Sequence, residues 1–297
     1  MVRERLLWID VVRTLAIFLI VLFHFIYEIN PDQSLRWIGY VGVSLFFIAS
    51  GYVLAKNYPD LENLNLSWLK KRYVRIVSLY YPTLIAIVLL FSTQTWYRGI
   101  HDLILHFIFL NFVSHDTLYS IISPAWFLIP LMGFYLFFPY LNRLLKWSKY
   151  ILIIAFLLMI ADRILIEKGW ISYSPLSFLG DFCFGIAFVQ DRKNLALAAS
   201  VLTVIASPLM AIPYFIFYLM SSIEHWNADP FGIFSTISKY TLEIFLFHES
   251  IMMVLLRKWS IYSLDIFSSL AVLIITLSIV EKISILVQQW LLPKIDG

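Results

Sequence analysis

The first apolar stretch of the chain, residues 6–27, reads LLWIDVVRTLAIFLIVLFHFIY. A helix needs about 20 mostly apolar residues to cross a bilayer, and this stretch reaches that length. A cleavable signal peptide has a shorter apolar core followed by a small-residue cleavage site. Here the apolar run carries Asp10, Arg13 and His24, and no such site follows it. The stretch therefore predicts a retained membrane-spanning helix.

The rest of the chain has the same apolar character. Apolar residues make up 61% of the 297 residues and charged residues 14%, whereas soluble domains are about half apolar and about a quarter charged. Lipid is therefore expected to cover part of the protein surface. The single cysteine, Cys183, excludes an internal disulfide and a two-cysteine metal site. The formal net charge of +3 is spread between apolar segments, so nucleic-acid binding is not predicted.

The apolar segments predict an all-α fold, a polytopic integral membrane bundle of about ten transmembrane helices. No linker rich in Gly, Pro or Ser divides the chain, so residues 1–297 are expected to form one transmembrane domain. The predicted spans lie near residues 7–27, 38–55, 76–92, 124–141, 150–166, 175–190, 195–207, 209–223, 237–254 and 266–288.

The run from His101 to Phe112 is too short to cross a bilayer on its own. Polar residues flank it, with Asp102 at its start and His115 after its end. Two interpretations are open from the sequence. The run forms either a helix that lies at the membrane surface or a segment that dips into a cavity.

Lysine and arginine in the loops predict the orientation, because cytoplasmic loops carry an excess of both. With the N-terminus in the cytoplasm, most loop cations fall on the cytoplasmic side, among them Arg3, Arg5 and Lys294 near the chain ends. Both termini are therefore predicted to be cytoplasmic, in a multi-pass protein of the plasma membrane.

The first span carries the most informative polar side chains. An ionisable residue at mid-span costs about 2.5–3.5 kcal/mol on insertion scales, so each is a candidate functional group. Arg13 and His24 share one helix face at about 100° per residue, about 16 Å apart along the axis. Asp10 lies one turn before Arg13 and can pair with it. Alternatively, Asp10 and Arg13 form an interfacial ion pair, and His24 makes an interhelical hydrogen bond.

A group of cations opens the third span, where residues 70–75 read KKRYVR. Arg72 and Arg75 are three residues apart and share a face. Arginine binds phosphate oxygens through two parallel hydrogen bonds, so the pattern favours a phosphate-rich ligand. Ordinary anchoring of the helix end by positive charge is the alternative interpretation.

Later spans contain further polar residues. His248 and Glu249 lie in the outer part of the ninth span, where they either bind substrate or face a helix interface. Asp162 and Arg163 are adjacent opposite charges near a span end. These two are expected to reach the interface along their aliphatic stems and to have no chemical role.

The order of these clusters resembles the membrane acyltransferase 3 family, whose members O-acylate sugars, polysaccharides and other acceptors. That family opens with an Asp, an Arg and, after ten further residues, a His, and an Arg-x-x-Arg begins its third helix. The second-helix signature is similar to GVSLFFIASGY at residues 42–52, with Ser44 in place of the usual Asp. The Trp-to-Pro stretch of the fourth helix and the late motif that ends in His resemble residues 126–139 and 241–248.

The resemblance implies a membrane O-acyltransferase. An acyl group, in the simplest case acetyl, would move from cytoplasmic acyl-CoA to a hydroxyl of a sugar, glycan or lipid-linked acceptor, with His24 as the base. It implies no permanently bound cofactor, no metal and no nucleic-acid partner. The lipid bilayer is the other expected partner. The implied residues are Asp10, Arg13 and His24 for catalysis, Lys71, Arg72 and Arg75 for the CoA donor, and Ser44, Trp126, His248 and Glu249 for the substrate.

Two other functions suit the same buried charges. A transporter or flippase of a polar or lipid-linked substrate also places Arg, His and Glu inside the membrane, although the chain shows no inverted repeat of the kind that transporters often have. A membrane scaffold without activity would have a small or plugged cavity around Arg13 and His24. The sequence predicts no oligomeric state.

Overall fold

The computed structural model of the protein describes residues 6–31, 33–91, 97–171, 173–225, 228–259, 261 and 264–292. All regular structure in these ranges is helical, so the all-α prediction is confirmed. Arg3, Arg5 and Lys294, which contribute to the predicted orientation, lie outside the described residues, as does Ser92 at the end of the third predicted span. The orientation stays a prediction.

The described ranges contain thirteen α-helices, joined in several places by short 3-10 turns. In chain order the helices are α1 Leu7–Ile29, α2 Arg36–Asn57, α3 Leu66–Phe91, α4 Ile100–Phe107, α5 His115–Leu118, α6 Leu128–Trp147, α7 Tyr150–Glu167, α8 Leu179–Val189, α9 Lys193–Ser200, α10 Ile212–Ser221, α11 Ile233–Lys239, α12 Thr241–Leu255 and α13 Ile266–Leu291.

Within the described part of the chain, five helical segments are long and apolar enough to cross a membrane. The other predicted spans coincide with helices, but these are shorter or carry more charge, so the count of about ten stays a prediction. The run at 101–112 is the short helix α4 followed by a 3-10 turn. The five candidate spans are Leu7–Ile29, Arg36–Asn57, Leu66–Phe91, Ser123–Trp147 and Ile266–Leu291.

Two helix boundaries differ from the predicted spans. The helix α3 begins well before residue 76, because Oδ1 of Asn65 accepts a hydrogen bond from the backbone N of Trp68 at 3.0 Å and caps the first turn. The KKRYVR stretch therefore lies inside the helix. The predicted ninth span, 237–254, is divided at Tyr240 into α11 and α12.

The chain forms two compact units, each made of two stretches of sequence. Unit 1 contains Met1–Leu64 and Gly133–Thr241, and unit 2 contains Asn65–Met132 and Leu242–Gly297. The expected single domain over residues 1–297 stays a prediction.

In unit 1, α2 packs against α1 and α8, and glycine makes both contacts possible. A Cβ at Gly42 would lie 2.6 Å from the backbone oxygen of Ala16 in α1. A Cβ at Gly51 would lie 2.1 Å from the backbone oxygen of Phe182 in α8. Both distances are too short for any side chain, so the two ends of the second-helix signature serve helix packing.

In unit 2, α3 packs against α13 through polar as well as apolar side chains. The hydroxyls of Ser78 and Ser284 lie 3.0 Å apart, and Nε2 of Gln288 donates to Ser78 at 3.1 Å. Hydrogen bonds of this kind hold apolar helices together where the surrounding medium offers no hydrophobic driving force.

Candidate active site

The helix α1 presents separate sectors to its neighbours in unit 1. Ala16 and Ile20 lie against Gly42 of α2. Asp10 and Thr14 bond to residues of α11. Successive residues of a helix are about 100° apart around its axis. A third sector of the α1 surface therefore lies between the sector that contacts α2 and the sector that contacts α11.

Arg13 and His24 both point into this intermediate sector. The helix is continuous from Leu7 to Ile29, so the two side chains share a face as their spacing predicts, within about 20° of each other. Both are half-buried. One face of α1 thus presents a guanidinium and an imidazole at different heights, about 16 Å apart along the axis.

The carboxylate of Asp10 is fixed by a residue that the sequence did not single out. Ser238 of α11 donates a hydrogen bond from Oγ to Oδ1 of Asp10 at 2.6 Å. Asp10 is 5% exposed and Ser238 is 6% exposed. A charged acceptor makes such a hydrogen bond short and strong, so Asp10 is held in place one turn before Arg13.

The first turn of α11 is itself anchored. The two carboxylate oxygens of Asp229 accept hydrogen bonds from the backbone N of Phe234 at 3.0 Å and of Ser235 at 3.1 Å. The hydroxyl of Thr14 donates to the backbone oxygen of Phe234 at 3.3 Å. These contacts fix the register of α11 against α1 and hence the position of Ser238.

Ser44 lies in a different part of unit 1 from the Arg13–His24 face. It is two residues from Gly42, which places it about 200° around α2 from the α1 contact. It is 2% exposed, and its hydroxyl lies 3.5 Å from Nη2 of Arg163. Its neighbour is therefore a half-buried guanidinium of α7.

Arg163 belongs to a largely buried polar cluster near the end of α7, and its expected position at the membrane interface stays a prediction. Its Nη2 contacts Oδ2 of Asp181 at 2.8 Å and its Nε donates to the backbone oxygen of Ser177 at 2.7 Å. Tyr214 donates to the other carboxylate oxygen of Asp181. The side chains of Arg163 and Asp181 are 14% and 0% exposed. Asp181 thus compensates the charge of Arg163 within unit 1.

A signal for this cluster was present in the sequence. Asp181 is a single carboxylate inside the apolar segment 175–190, and a buried charge needs an opposite charge or several hydrogen bonds. Sequence alone could not say which cation lay nearby, because Arg163 comes from another helix.

The predicted donor site lies within the first three turns of α3, in unit 2. The guanidinium of Arg72 lies over the ring of Trp68, 5.6 Å from its centroid. Lys71 and Arg75 are exposed, and Arg72 is half-buried. Lys71 and Arg72 lie on the second turn of the helix and Arg75 on the third, after the capped first turn. The arrangement suits a phosphate group.

The predicted substrate residues Trp126, His248 and Glu249 also lie in unit 2. His248 is 4% exposed, and its Nδ1 lies 2.8 Å from the backbone oxygen of Phe245. A carbonyl only accepts, so Nδ1 carries the hydrogen in this contact. Trp126 and Glu249 are half-buried.

The structure therefore groups the predicted residues by unit. Asp10, Arg13, His24 and Ser44 lie in unit 1, and the other six lie in unit 2. Among the described residues, no three His, Cys, Asp or Glu side chains are placed to hold a metal ion.

A family model described as an acyltransferase domain, that of the acyltransferase 3 family, matches residues 6–231. The chain belongs to this family. One relative is the acyltransferase MdmB of Streptomyces mycarofaciens, 31% identical over 119 residues. That match covers 37% of this chain and 30% of the relative, so the chain spans less than a third of that protein's length. No solved structure matches the chain.

Membership of the acyltransferase 3 family confirms the resemblance and supports a membrane acyltransferase. The matched range includes the Asp10–Arg13–His24 face, the opening of α3 and Trp126. It ends before His248 and Glu249, so their assignment depends on the late motif alone.

Proposed function

We propose that this acyltransferase moves an acyl group, acetyl in the simplest case, from cytoplasmic acyl-CoA to a hydroxyl of a sugar, glycan or lipid-linked acceptor. The observation that carries the proposal is the face of α1 that presents Arg13 and His24, beside a carboxylate that Ser238 holds in place. Family membership favours acyl transfer over transport and over an inactive scaffold.

In the proposed reaction, His24 is the general base. Its imidazole takes the proton of the acceptor hydroxyl while the oxygen attacks the thioester carbon, and the imidazolium then returns a proton to the departing CoA sulfur. Imidazole suits both steps because its ordinary pKa, about 6.5, lies close to neutral pH. In a version with an acyl-His24 intermediate, one ring nitrogen forms the N–acyl bond as the C–S bond breaks, and the departing CoA sulfur takes the proton of the other ring nitrogen. The acceptor oxygen then displaces the ring nitrogen, and the imidazole recovers its proton from the acceptor hydroxyl.

Arg13 is proposed to stabilise negative charge on the thioester oxygen or to orient the donor. A guanidinium carries its charge at every working pH and donates several hydrogen bonds in a fixed plane. Asp10, fixed by Ser238, is proposed to pair with Arg13 and so to limit where the Arg13 side chain can go. Preorganised donors aimed at developing charge are commonly the largest single contribution to acyl-transfer catalysis.

The donor phosphates are proposed to bind Lys71, Arg72 and Arg75 of α3. Acyl-CoA is then a substrate, with no resident cofactor or metal and no nucleic-acid partner. Ser44, Trp126, His248 and Glu249 are proposed to act on the acceptor side. Of these, Ser44 would act through Arg163.

The membrane setting completes the proposal. About ten spans with both termini in the cytoplasm, in the plasma membrane, would place the α3 cations on the side where acyl-CoA is made. The acceptor would then meet His24 nearer the outer surface. Modification of a surface polysaccharide or of its lipid-linked precursor is the process that this arrangement fits.

Purified protein in lipid nanodiscs tests the function. Acetyl-CoA and longer acyl-CoA donors are offered with a panel of sugar, glycan and lipid-linked acceptors, and free CoA is measured as new thiol. We expect CoA release that requires an acceptor hydroxyl and yields an O-acylated product. Uptake of a labelled acceptor into proteoliposomes, with no CoA release from any donor, would contradict the proposal and favour the transporter.

A further inference from the structure

The short helix α4 has its polar side inward and its apolar side outward. Asp102 and His106, one turn apart, are 1% and 0% exposed. Ile100, Ile104 and Ile108, also one turn apart, are 68%, 50% and 54% exposed. A helix at a water-facing surface has the opposite pattern. The medium outside α4 is therefore apolar.

The inward polar side chains are satisfied within unit 2. Nδ1 of His106 lies 2.8 Å from the hydroxyl of Tyr80, and Nε2 lies 2.9 Å from the hydroxyl of Ser120. Ser120 donates to Oδ1 of Asp102 at 2.7 Å. All four side chains are buried. Lipid cannot pair with polar groups, so a membrane-embedded segment requires internal partners of this kind.

The backbone beyond α4 is satisfied in the same way. The hydroxyl of Tyr81 donates to the backbone oxygen of Phe107 at 2.8 Å, and Thr117 donates to that of Asn111 at 2.7 Å. Side-chain hydroxyls thus donate hydrogen bonds to backbone carbonyls at and beyond the end of α4, where the intrahelical hydrogen bonds stop. Non-helical backbone at membrane depth is tolerated only when it is buried in protein or lines a cavity.

The contacts with α3 show how deep the segment reaches. Tyr81 lies ten residues before Phe91 at the end of α3, which is about 15 Å along the axis. Phe107 and Phe109 pack on its ring, with centroids 4.9 and 6.0 Å away. The hydrocarbon layer is about 30 Å thick, so this contact is near the middle of the span.

The two ends of the segment meet at a shallower level than the Tyr81 contact. Arg98, before α4, pairs with Asp116, after its turn, at 3.0 Å. Their side chains are 48% and 62% exposed. An exposed ion pair marks contact with water or lipid headgroups, so the chain leaves and returns at one level and turns at a deeper one.

We infer that residues 98–116 form a re-entrant hairpin, with the stripe of Ile100, Ile104 and Ile108 against the acyl chains of the leaflet at the C-terminal end of α3. The helix stands along the membrane normal, and about 12 Å separate Ile100 from Ile108 in depth. A helix lying flat at the interface would place all three isoleucines at one depth. The inference does not depend on the proposed chemistry.

Nitroxide labels measure these depths in the full-length protein in lipid vesicles. Cysteine replaces Ile100, Ile104 or Ile108 singly, in a Cys183→Ala background whose behaviour on gel filtration matches the native chain. Accessibility to oxygen, which concentrates in lipid, is compared with accessibility to a water-soluble nickel chelate. Leu89→Cys and Ile85→Cys on the exposed side of α3 provide a depth scale, and His225→Cys, in a loop and 94% exposed, provides a water control.

We expect depth to increase stepwise from Ile100→Cys to Ile108→Cys, with the last deeper than Leu89→Cys. Because three positions lie on one stripe, the change of depth along it can still be measured if one variant fails to fold. Equal depth at all three positions would show an interfacial helix and overturn the inference. Nickel accessibility like that of His225→Cys would overturn it too, since the stripe would then face water.

Discussion

The hydroxyl of Ser238 donates a hydrogen bond to Oδ1 of Asp10 across 2.6 Å, and both side chains are buried. The contact joins residues 228 positions apart in the chain. It connects the predicted catalytic helix to α11, whose first turn is held by Asp229. Ser238 therefore fixes the carboxylate of Asp10 one turn before Arg13, and we propose that it acts on Arg13 through Asp10.

Replacing Ser238 by alanine tests this role. A hydrogen bond to a charged group contributes about 1.5–3 kcal/mol, so Ser238→Ala is expected to lower kcat for acyl transfer about tenfold or more, with little change in KM for acyl-CoA. Ser238→Thr keeps the hydroxyl and is expected to restore most of the rate. Equal rates for native protein and Ser238→Ala would show that the hydrogen bond from Ser238 to Asp10 does not contribute to acyl transfer.

The Gly51 position tests the packing of α2 on α8. A methyl group there would lie 2.1 Å from a backbone oxygen that cannot move aside, so Gly51→Ala is expected to destabilise the protein by about 1–3 kcal/mol or more. Gly133 of α6 has nothing within 4 Å of an added Cβ, and Gly133→Ala is expected to be neutral or slightly stabilising. Thermal unfolding in detergent compares the two, and equal midpoints would contradict the packing described.

The Arg163–Asp181 pair predicts a strongly non-additive double-mutant cycle. Removing one partner leaves a buried charge, which costs about 3–5 kcal/mol, so Arg163→Leu and Asp181→Leu are each expected to lower the unfolding midpoint strongly. The double variant is expected to be closer to native than either. Arg98 and Asp116 form an exposed pair, and a cycle there is expected to give less than about 1 kcal/mol. Additive effects at Arg163 and Asp181 would mean that the pair is not coupled.

The α3 cations predict a defect in donor binding. Arg72→Gln and Arg75→Gln are each expected to raise KM for acyl-CoA about tenfold while kcat changes little, since each loses a charge-assisted hydrogen bond. Lys70→Gln, a neighbouring exposed cation, is the control and is expected to change KM little. A dephospho-CoA thioester shows whether the 3′-phosphate is the group bound, because the penalty of the variant should then shrink. An unchanged KM in both arginine variants would remove the donor site from α3.

Several features of the fold were predictable because they depend on local sequence. The length and apolarity of the first stretch gave α1 almost to its ends, and the eleven-residue spacing placed Arg13 and His24 on one face. The start of α3 was placed too late, because the apolar pattern begins after the basic residues whereas the helix begins at the Asn65 cap. A helix cap depends on one side chain, so it hardly changes the hydropathy profile of the sequence.

Long-range pairs were the part that sequence could not supply. Ser238 and Asp10, or Arg163 and Asp181, come from helices far apart in the chain, and nothing in one segment specifies its partner. The orientation of α4 was open for the same reason. Its inward polar side becomes visible only when Tyr80 and Ser120 are seen around His106.

The most direct test of the central claim compares two histidines in one assay. Single-turnover transfer from radiolabelled acetyl-CoA to acceptor is measured for native protein, His24→Ala and His225→Ala, each checked for folding by gel filtration. His225 is 94% exposed in a loop and is the matched control. A general base contributes about 10²–10⁴-fold, so His24→Ala is expected to lose at least about a hundredfold in rate while His225→Ala keeps the native rate. A folded His24→Ala protein that transfers acetyl at close to the native rate would contradict the account.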